Sequence, residues 1–137
     1  HRHICEIHQE LSKINNTSIK FSFNPHITPI FRGMMSTIYC DLNINISNHN
    51  INECIKKFYS NTSFVKLINI EERNDFFKVQ NTNNCFIKFF NHYDSSKIII
   101  VSLIDNLLKG ASGQAVQCMN IMFGYDEKLG LDNIKSD

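Results

Sequence analysis

The sequence has no excess of charge of either sign: 14 lysines and arginines stand against 13 acidic residues, a formal net charge of +1. The basic face a nucleic-acid binder needs is missing, and the lysines are scattered rather than clustered, so no polyanion partner is expected. Long apolar runs are missing too. The richest stretch, KIIIVSLIDNLL (97–108), is broken by Ser102, Asp105 and Asn106, well short of the ~20 residues of a membrane span. No membrane segment and no signal peptide are expected. The five cysteines, at 5, 40, 54, 85 and 118, form no CxxC pair and are odd in number. That excludes a disulfide framework, speaks against a zinc ribbon, and points to a reducing, cytoplasmic setting. A starting methionine is also absent, and the chain is expected to be a piece of something longer.

What is present suits a globular domain. The 137 residues, 42% hydrophobic and 20% charged, fit one domain with a real core. Asn and Ile are used heavily, yet apolar periodicity persists through the Asn-rich strings. ICEIHQELSK (4–13) reads as a helix, with Ile4, Ile7 and Leu11 at helical spacing. SIKFSFNP (18–25) alternates like a strand, with Ile19, Phe21 and Phe23 on one face. MMSTIYCDLNINI (34–46) reads as a long strand and HNINECIKKFYSN (49–61) as a helix. FVKLINI (64–70), FFKVQ (76–80), CFIKFFNH (85–92) and KIIIVSLI (97–104) read as four further strands. NLLKGASGQAVQCMNIMFG (106–124) reads as a final helix stopped by Gly124. This order predicts an α+β fold, a largely antiparallel sheet covered by helices on one face.

Two stretches carry unusual chemistry. In HRHICEIH (1–8), His1, Cys5 and His8 fall at i, i+4 and i+7. They would make a metal-like face if the helix reached back to residue 1. Arg2, His3 and Glu6 form a different group, with His3 and Glu6 at i, i+3. In KGASGQA (109–115), Gly110 and Gly113 lie within one helical turn, where each glycine costs about 1 kcal/mol relative to alanine. That cost calls for close approach by another backbone or a ligand, or for tight helix-on-sheet packing. Asp105 or Asn106 is placed to cap the first turn.

HRHICEIHQEL, NPHITPIFRGMMSTIY and IDNLLKGASGQAVQCMNIMFG resemble, in that order, the C-terminal part of the N-acetyl-gamma-glutamyl-phosphate reductases. These are the arginine-biosynthesis relatives of aspartate-semialdehyde dehydrogenase. QNTNNCFIKFF is similar to that family's strand with an Asn-x-Cys element, and the resemblance runs from residue 1 to about residue 131. It implies a fold like the C-terminal domain of the glyceraldehyde-3-phosphate and semialdehyde dehydrogenases. It also implies reduction of N-acetyl-glutamyl 5-phosphate to N-acetyl-glutamate 5-semialdehyde with NADP as cofactor and release of phosphate. In such enzymes a cysteine thiolate forms a thioester and a histidine acts as general acid/base. Against the family's Arg-His-x-Pro-Glu-Ile pattern, the histidine is His3, and Cys5 stands where the family has proline. The glycine-rich dinucleotide fingerprint and the Gly-Cys-Tyr/Phe-x-Thr element of the nucleophile are absent from this chain.

The resemblance therefore implies a substrate domain over residues 1–105 and a C-terminal helix region, 106–137, that packs on an absent NADP-binding domain. His3 is the expected catalytic base. Arg2, Glu6 and Arg32 are expected at the substrate, the arginines because a guanidinium fork matches a carboxylate; for Arg32 a surface salt bridge is an equal alternative. Asn106, Lys109, Gly110 and Gln114 are expected toward the cofactor, although Asn106 also suits a plain N-cap and Lys109 a solvated position. His26 is expected to be a structural hydrogen-bonder. The family pattern needs no metal. A homo-oligomer formed through the sheet is expected, and the isolated chain is expected to associate through exposed apolar surface. The alternatives are a truncated interaction module without catalysis and a metal-binding regulatory domain.

Overall fold

A computed structural model describes residues 1–42, 48–69, 71–72, 76–94 and 96–132. The chain divides into two compact units, His1–Ile30 and Phe31–Asp137.

The first unit is a helix with an extended tail. Helix α1 runs His3–Asn15 and ends at Asn16 in the left-handed region (φ 56°), whose N–H donates to the Lys13 carbonyl. None of its residues is buried. Residues 18–25 do not form the expected strand. Their alternation is real, since Ile19, Phe21 and Phe23 are half-buried while Ser18, Lys20 and Ser22 are exposed. No strand pairs with them among the described residues; the apolar set leans on α1 instead. Phe21 stacks with His8 at 6.3 Å, Phe23 meets the His1 ring edge-on at 5.4 Å, and the Ile19 N–H donates to Ser12 Oγ at 3.3 Å. A period of two reports one covered face, and here a helix supplies the cover.

The second unit holds a four-stranded sheet in the order β1-β4-β3-β2. Its strands are β1 (Met34–Asp41), β2 (Val65–Leu67), β3 (Cys85–Asn91) and β4 (Lys97–Ile104), with helix α2 (Asn48–Tyr59) between the first two. β4 pairs antiparallel with β1, from Met34 opposite Ile104 to Asp41 opposite Lys97, and with β3, from Cys85 opposite Ile104. The short β2 runs parallel to β3. The fold is α+β with a largely antiparallel sheet, as the sequence predicts. The run KIIIVSLI forms β4 over its whole length, because it is the central strand with apolar neighbours on both faces. The expected strand 34–46 ends at Asp41, and 43–46 lie outside the described residues; Ile70, the end of the expected 64–70 strand, also lies outside them.

Phe76–Lys78 is a 3-10 turn, not a strand. Both Val79 and Gln80 N–H groups bond back to the Phe76 carbonyl, at 3.1 and 3.0 Å. Val79 is fully buried and Asn81 takes a left-handed φ of 58°. Tertiary anchoring wins here over a five-residue apolar pattern too short to set a period.

Val101, Leu103 and Lys88 are buried on one face of the sheet, where the Lys88 ammonium donates to the Glu72 carbonyl and lies 5.0 Å from the Phe90 ring centroid. The opposite face presents Met34, Ile38, Ile87, Phe89, Ile100 and Ile104, of which Met34 and Ile38 remain 48% and 45% exposed. After β4 the chain forms a π-helical turn, Leu108–Ser112, and then α3, Gly113–Met122. Gly124 ends it at φ 72°. The fully buried Asn120 then holds the tail by donating to the Glu127 and Leu129 carbonyls at 3.3 and 2.9 Å.

Candidate functional site

In the first unit the predicted group lies at the start of α1. Arg2 precedes the helix in a helical conformation, and its side chain makes no cap hydrogen bond. His3 is the first helical residue and Glu6 lies one turn on; all three are exposed. The His3 ring meets the His1 ring edge-on at 4.8 Å rather than Glu6, and the His3 N–H donates to His1 Nδ1 at 3.3 Å. His26 Nδ1 bonds the Asn24 carbonyl at 2.9 Å, a local structural contact. A groove of about 520 Å³ is lined by Ile4, Cys5, His8, Ile19, Phe21 and Phe23, with Lys20 at its side. The helix begins at His3, so His1 does not continue the face of Cys5 and His8. Among the described residues no group of three metal-ligating side chains comes together.

In the second unit Arg32 and the start of the turn after β4 converge on one carboxylate, while Lys109 and Gln114 make their contacts with Gln117 and Cys118. Asp105 follows β4, is fully buried, and each of its oxygens is used twice. Oδ1 accepts from the Leu107 and Leu108 N–H groups at 2.8 and 2.9 Å, capping the turn that follows. Oδ2 accepts from the Asn81 N–H at 2.8 Å and lies 2.7 Å from Arg32 Nε. The Arg32 N–H does not point down that line, so this pair is held by charge more than by a linear hydrogen bond. Burial alone would push the Asp105 carboxyl up; the Leu108 amide, Arg32, and the Asn81 and Leu107 amides outweigh it and hold the group below its ordinary value.

The neighbouring residues are fixed in turn. Asn106 Oδ1 accepts the Gly33 N–H at 2.8 Å, and Gln80 Nε2 donates to the Arg32 carbonyl at 2.6 Å. Gly33 sits at φ 131°, and a Cβ there would come 2.3 Å from the Phe76 ring, so only glycine serves. Asn106 is thus a tie to the strand β1 entrance and not the cap; Asp105 is the cap. Gly110 is exposed, with its N–H on the Asp105 carbonyl at 2.9 Å. Gly113 is the crowded glycine: a Cβ there would meet Asn83 Oδ1 at 2.3 Å. The close approach that its sequence position demanded comes from a buried side chain of the same unit.

Lys109 is half-buried over the Phe64 ring and donates to Gln117 Oε1 at 2.6 Å. Burial pushes its ammonium below the usual lysine range, opposed by the nearby Cys85, Glu127 and Cys118. Gln117 also accepts from Asn83 Nδ2 and donates to Glu127 Oε1, and Ser63 Oγ donates to Glu127 Oε2. Gln114 lies on α3 and contacts Cys118 Sγ at 3.3 Å. Sequence reasoning missed Asn83, Gln117 and Glu127, and saw Asp105 only as a possible cap. The one available signal was Gly113, whose position implies a close neighbour without naming it.

Residues 1–106 match the family described as semialdehyde dehydrogenase, dimerisation domain. The chain belongs to this family. Curated relatives named N-acetyl-gamma-glutamyl-phosphate reductase match nearly all of it. The protein from Clostridium botulinum (strain Eklund 17B / Type B) is 44% identical over 98% of this chain, and that from Desulfotalea psychrophila is 42% identical over 96%. The chain spans only 39% and 38% of those relatives' own lengths. A crystal structure of aspartate semialdehyde dehydrogenase II from Vibrio cholerae, complexed with ASA, shares the fold. Its TM-score is 0.56 at 18% identity, over 70% of this chain and 28% of that one.

Proposed function

We propose that this dimerisation-family domain is the C-terminal part of a cytoplasmic, NADP-dependent reductase of arginine biosynthesis. That enzyme would convert N-acetyl-glutamyl 5-phosphate to the 5-semialdehyde with release of phosphate. The nucleophilic cysteine and the dinucleotide-binding domain would be supplied outside these residues. The observation that carries the reading is the pairing of near-complete coverage by reductase relatives with the convergence of Arg32 and the Leu107 and Leu108 amides on one buried carboxylate, beside which Asn106 holds the Gly33 N–H.

The residues present fit an edge of such a cofactor. Asn106 keeps its Nδ2 donors beyond the bond that its oxygen makes with Gly33, and exposed Gly110 leaves room beside it. When bound, the nicotinamide supplies hydride. The roles of this chain are to bind, orient and move protons. His3, exposed at a helix start, accepts a proton from the nucleophile and returns it to the substrate oxygen, since an imidazole can both take up and release a proton. Arg32, anchored at Nε, offers its remaining nitrogens to an anionic group of the substrate. On the first unit, Arg2 would be a further anion contact and Glu6 a contact to a different part of the substrate. Lys109 and Gln114 would complete the cofactor side, Lys109 from its present bond to Gln117. No helix among the described residues is long and apolar enough to cross a membrane.

The half-exposed sheet face of Met34, Ile38, Phe89 and Ile100 serves as the contact between two copies, a role supported by the family's description. An Ile38→Asp change should then reduce the sedimenting mass. For the activity, the test is His3→Asn in the complete protein, followed by NADP reduction with the semialdehyde and phosphate. Turnover should fall at least about 100-fold with an unchanged unfolding temperature. Retained turnover contradicts the assignment of His3, and a wild-type protein without turnover contradicts the reductase reading.

A further inference from the structure

Three segments far apart in sequence meet at Asp105. Its Oδ2 reaches Arg32 and the Asn81 amide, its Oδ1 takes the Leu107 and Leu108 amides, and its carbonyl takes the Gly110 N–H. Arg32–Gly33 is held at three points by residues of the other two segments: Nε by Asp105, the carbonyl by Gln80, and the Gly33 N–H by Asn106. The turn that follows is wound as a π helix, with Gly110 bonded to Asp105 and Ser112 to Leu107, each five residues back. Such turns are rare and depend on tertiary support. A packed arrangement of this kind shifts as a unit, because each donor that leaves Asp105 strands a buried charge or amide.

We propose that Asp105 is a positioning residue that couples the two binding sites: it links the Arg32 that holds an anionic group of the substrate to the turn bearing Asn106, Lys109 and Gly110 on the cofactor side. Substrate at Arg32 shifts this unit as a whole and carries the turn with it, and cofactor at the turn does the same for Arg32, so each ligand prepares the site of the other. This rests on the reductase reading above. An Asx cap alone would serve the helix start without any connection to Arg32. The doubly used Oδ2, facing away from the helix, is what that simpler role leaves unexplained.

Asp105→Asn separates the two roles. An asparagine keeps an oxygen for the Leu107 and Leu108 amides and so remains a good cap, but places an NH2 group against the Asn81 N–H and Arg32, donor against donor. The experiment is the Kd of NADPH for the complete protein with and without saturating N-acetyl-glutamate semialdehyde, a pair that cannot react with each other on the enzyme. The wild type should bind NADPH at least about 5-fold more tightly with the semialdehyde present, and Asp105→Asn should lose that dependence while still binding each ligand. A wild type that binds both without coupling, or an Asn variant that keeps the full coupling, overturns the proposal and leaves the reductase reading intact. A wild type that binds neither ligand overturns the reading itself. If the Asn variant does not fold, Arg32→Gln decides: it leaves the cap in place, and the Gly110 amide should exchange at least about tenfold faster. Unchanged exchange refutes the link.

Discussion

Helix α1 and the turn at 105–112 both carry proposed site residues, yet they are held in opposite ways. Around α1 nothing is buried: Arg2, His3 and Glu6 stand in solvent, and the helix is braced by ring contacts of His1 and His8 with the extended tail. At the turn, Arg32 and the Asn81, Leu107 and Leu108 amides converge on one fully buried carboxylate, while the Gly110 N–H takes the Asp105 carbonyl and Asn106 holds the Gly33 N–H. The first region suits a group that must exchange protons and meet reactants from more than one side. The second suits groups whose job is to stay in place.

The largest break in this contrast should come from Asp105→Ala. It strands the Arg32 charge and three amide N–H groups in the interior, and should cost about 3–5 kcal/mol, read as a fall in urea midpoint. Gly113→Ala should follow at about 1–3 kcal/mol, since its Cβ would collide with Asn83 Oδ1 and press on the Leu108 backbone. A smaller cost would mean that Asn83 swings away freely. By contrast, Ile14→Ser on α1, 81% exposed, should stay within about 0.5 kcal/mol of wild type.

The same contrast has a pH signature. The folded-state carboxyl of Asp105 lies below its unfolded value. Its contribution is therefore fully present above the unfolded pKa of about 3.9 and is lost as pH falls through the folded value. Denaturant unfolding from pH 7 down to pH 3 should show wild type losing stability more steeply than Asp105→Asn. Parallel curves would remove Asp105 as the source.

Much of the fold was legible because it rests on local periodicity. Helix α1, helix α2 and the full length of β4 follow from apolar spacing alone. Residues 18–25 misled because the period of two was genuine while the covering element was a helix. FFKVQ misled because Val79 and Asn81 are placed by contacts outside their own segment. The site divides along the same line. His3 was proposed from a short local pattern that resembles the family's, whereas the hub at Asp105 depends on partners such as Gly33 and Asn106, 73 positions apart. A sequence shows an aspartate before a helix as a cap; what its second oxygen holds is decided only in the folded chain.

The most direct measurement is residue-resolved amide hydrogen exchange on the wild-type protein. The amides of Asn81, Leu107 and Leu108, closed on the buried carboxylate, should open only with global unfolding. They should exchange at least about a hundredfold more slowly than the amides of α1, which open locally. Equal exchange in the two regions would contradict the account, because it would show that the carboxylate does not hold the segments it touches.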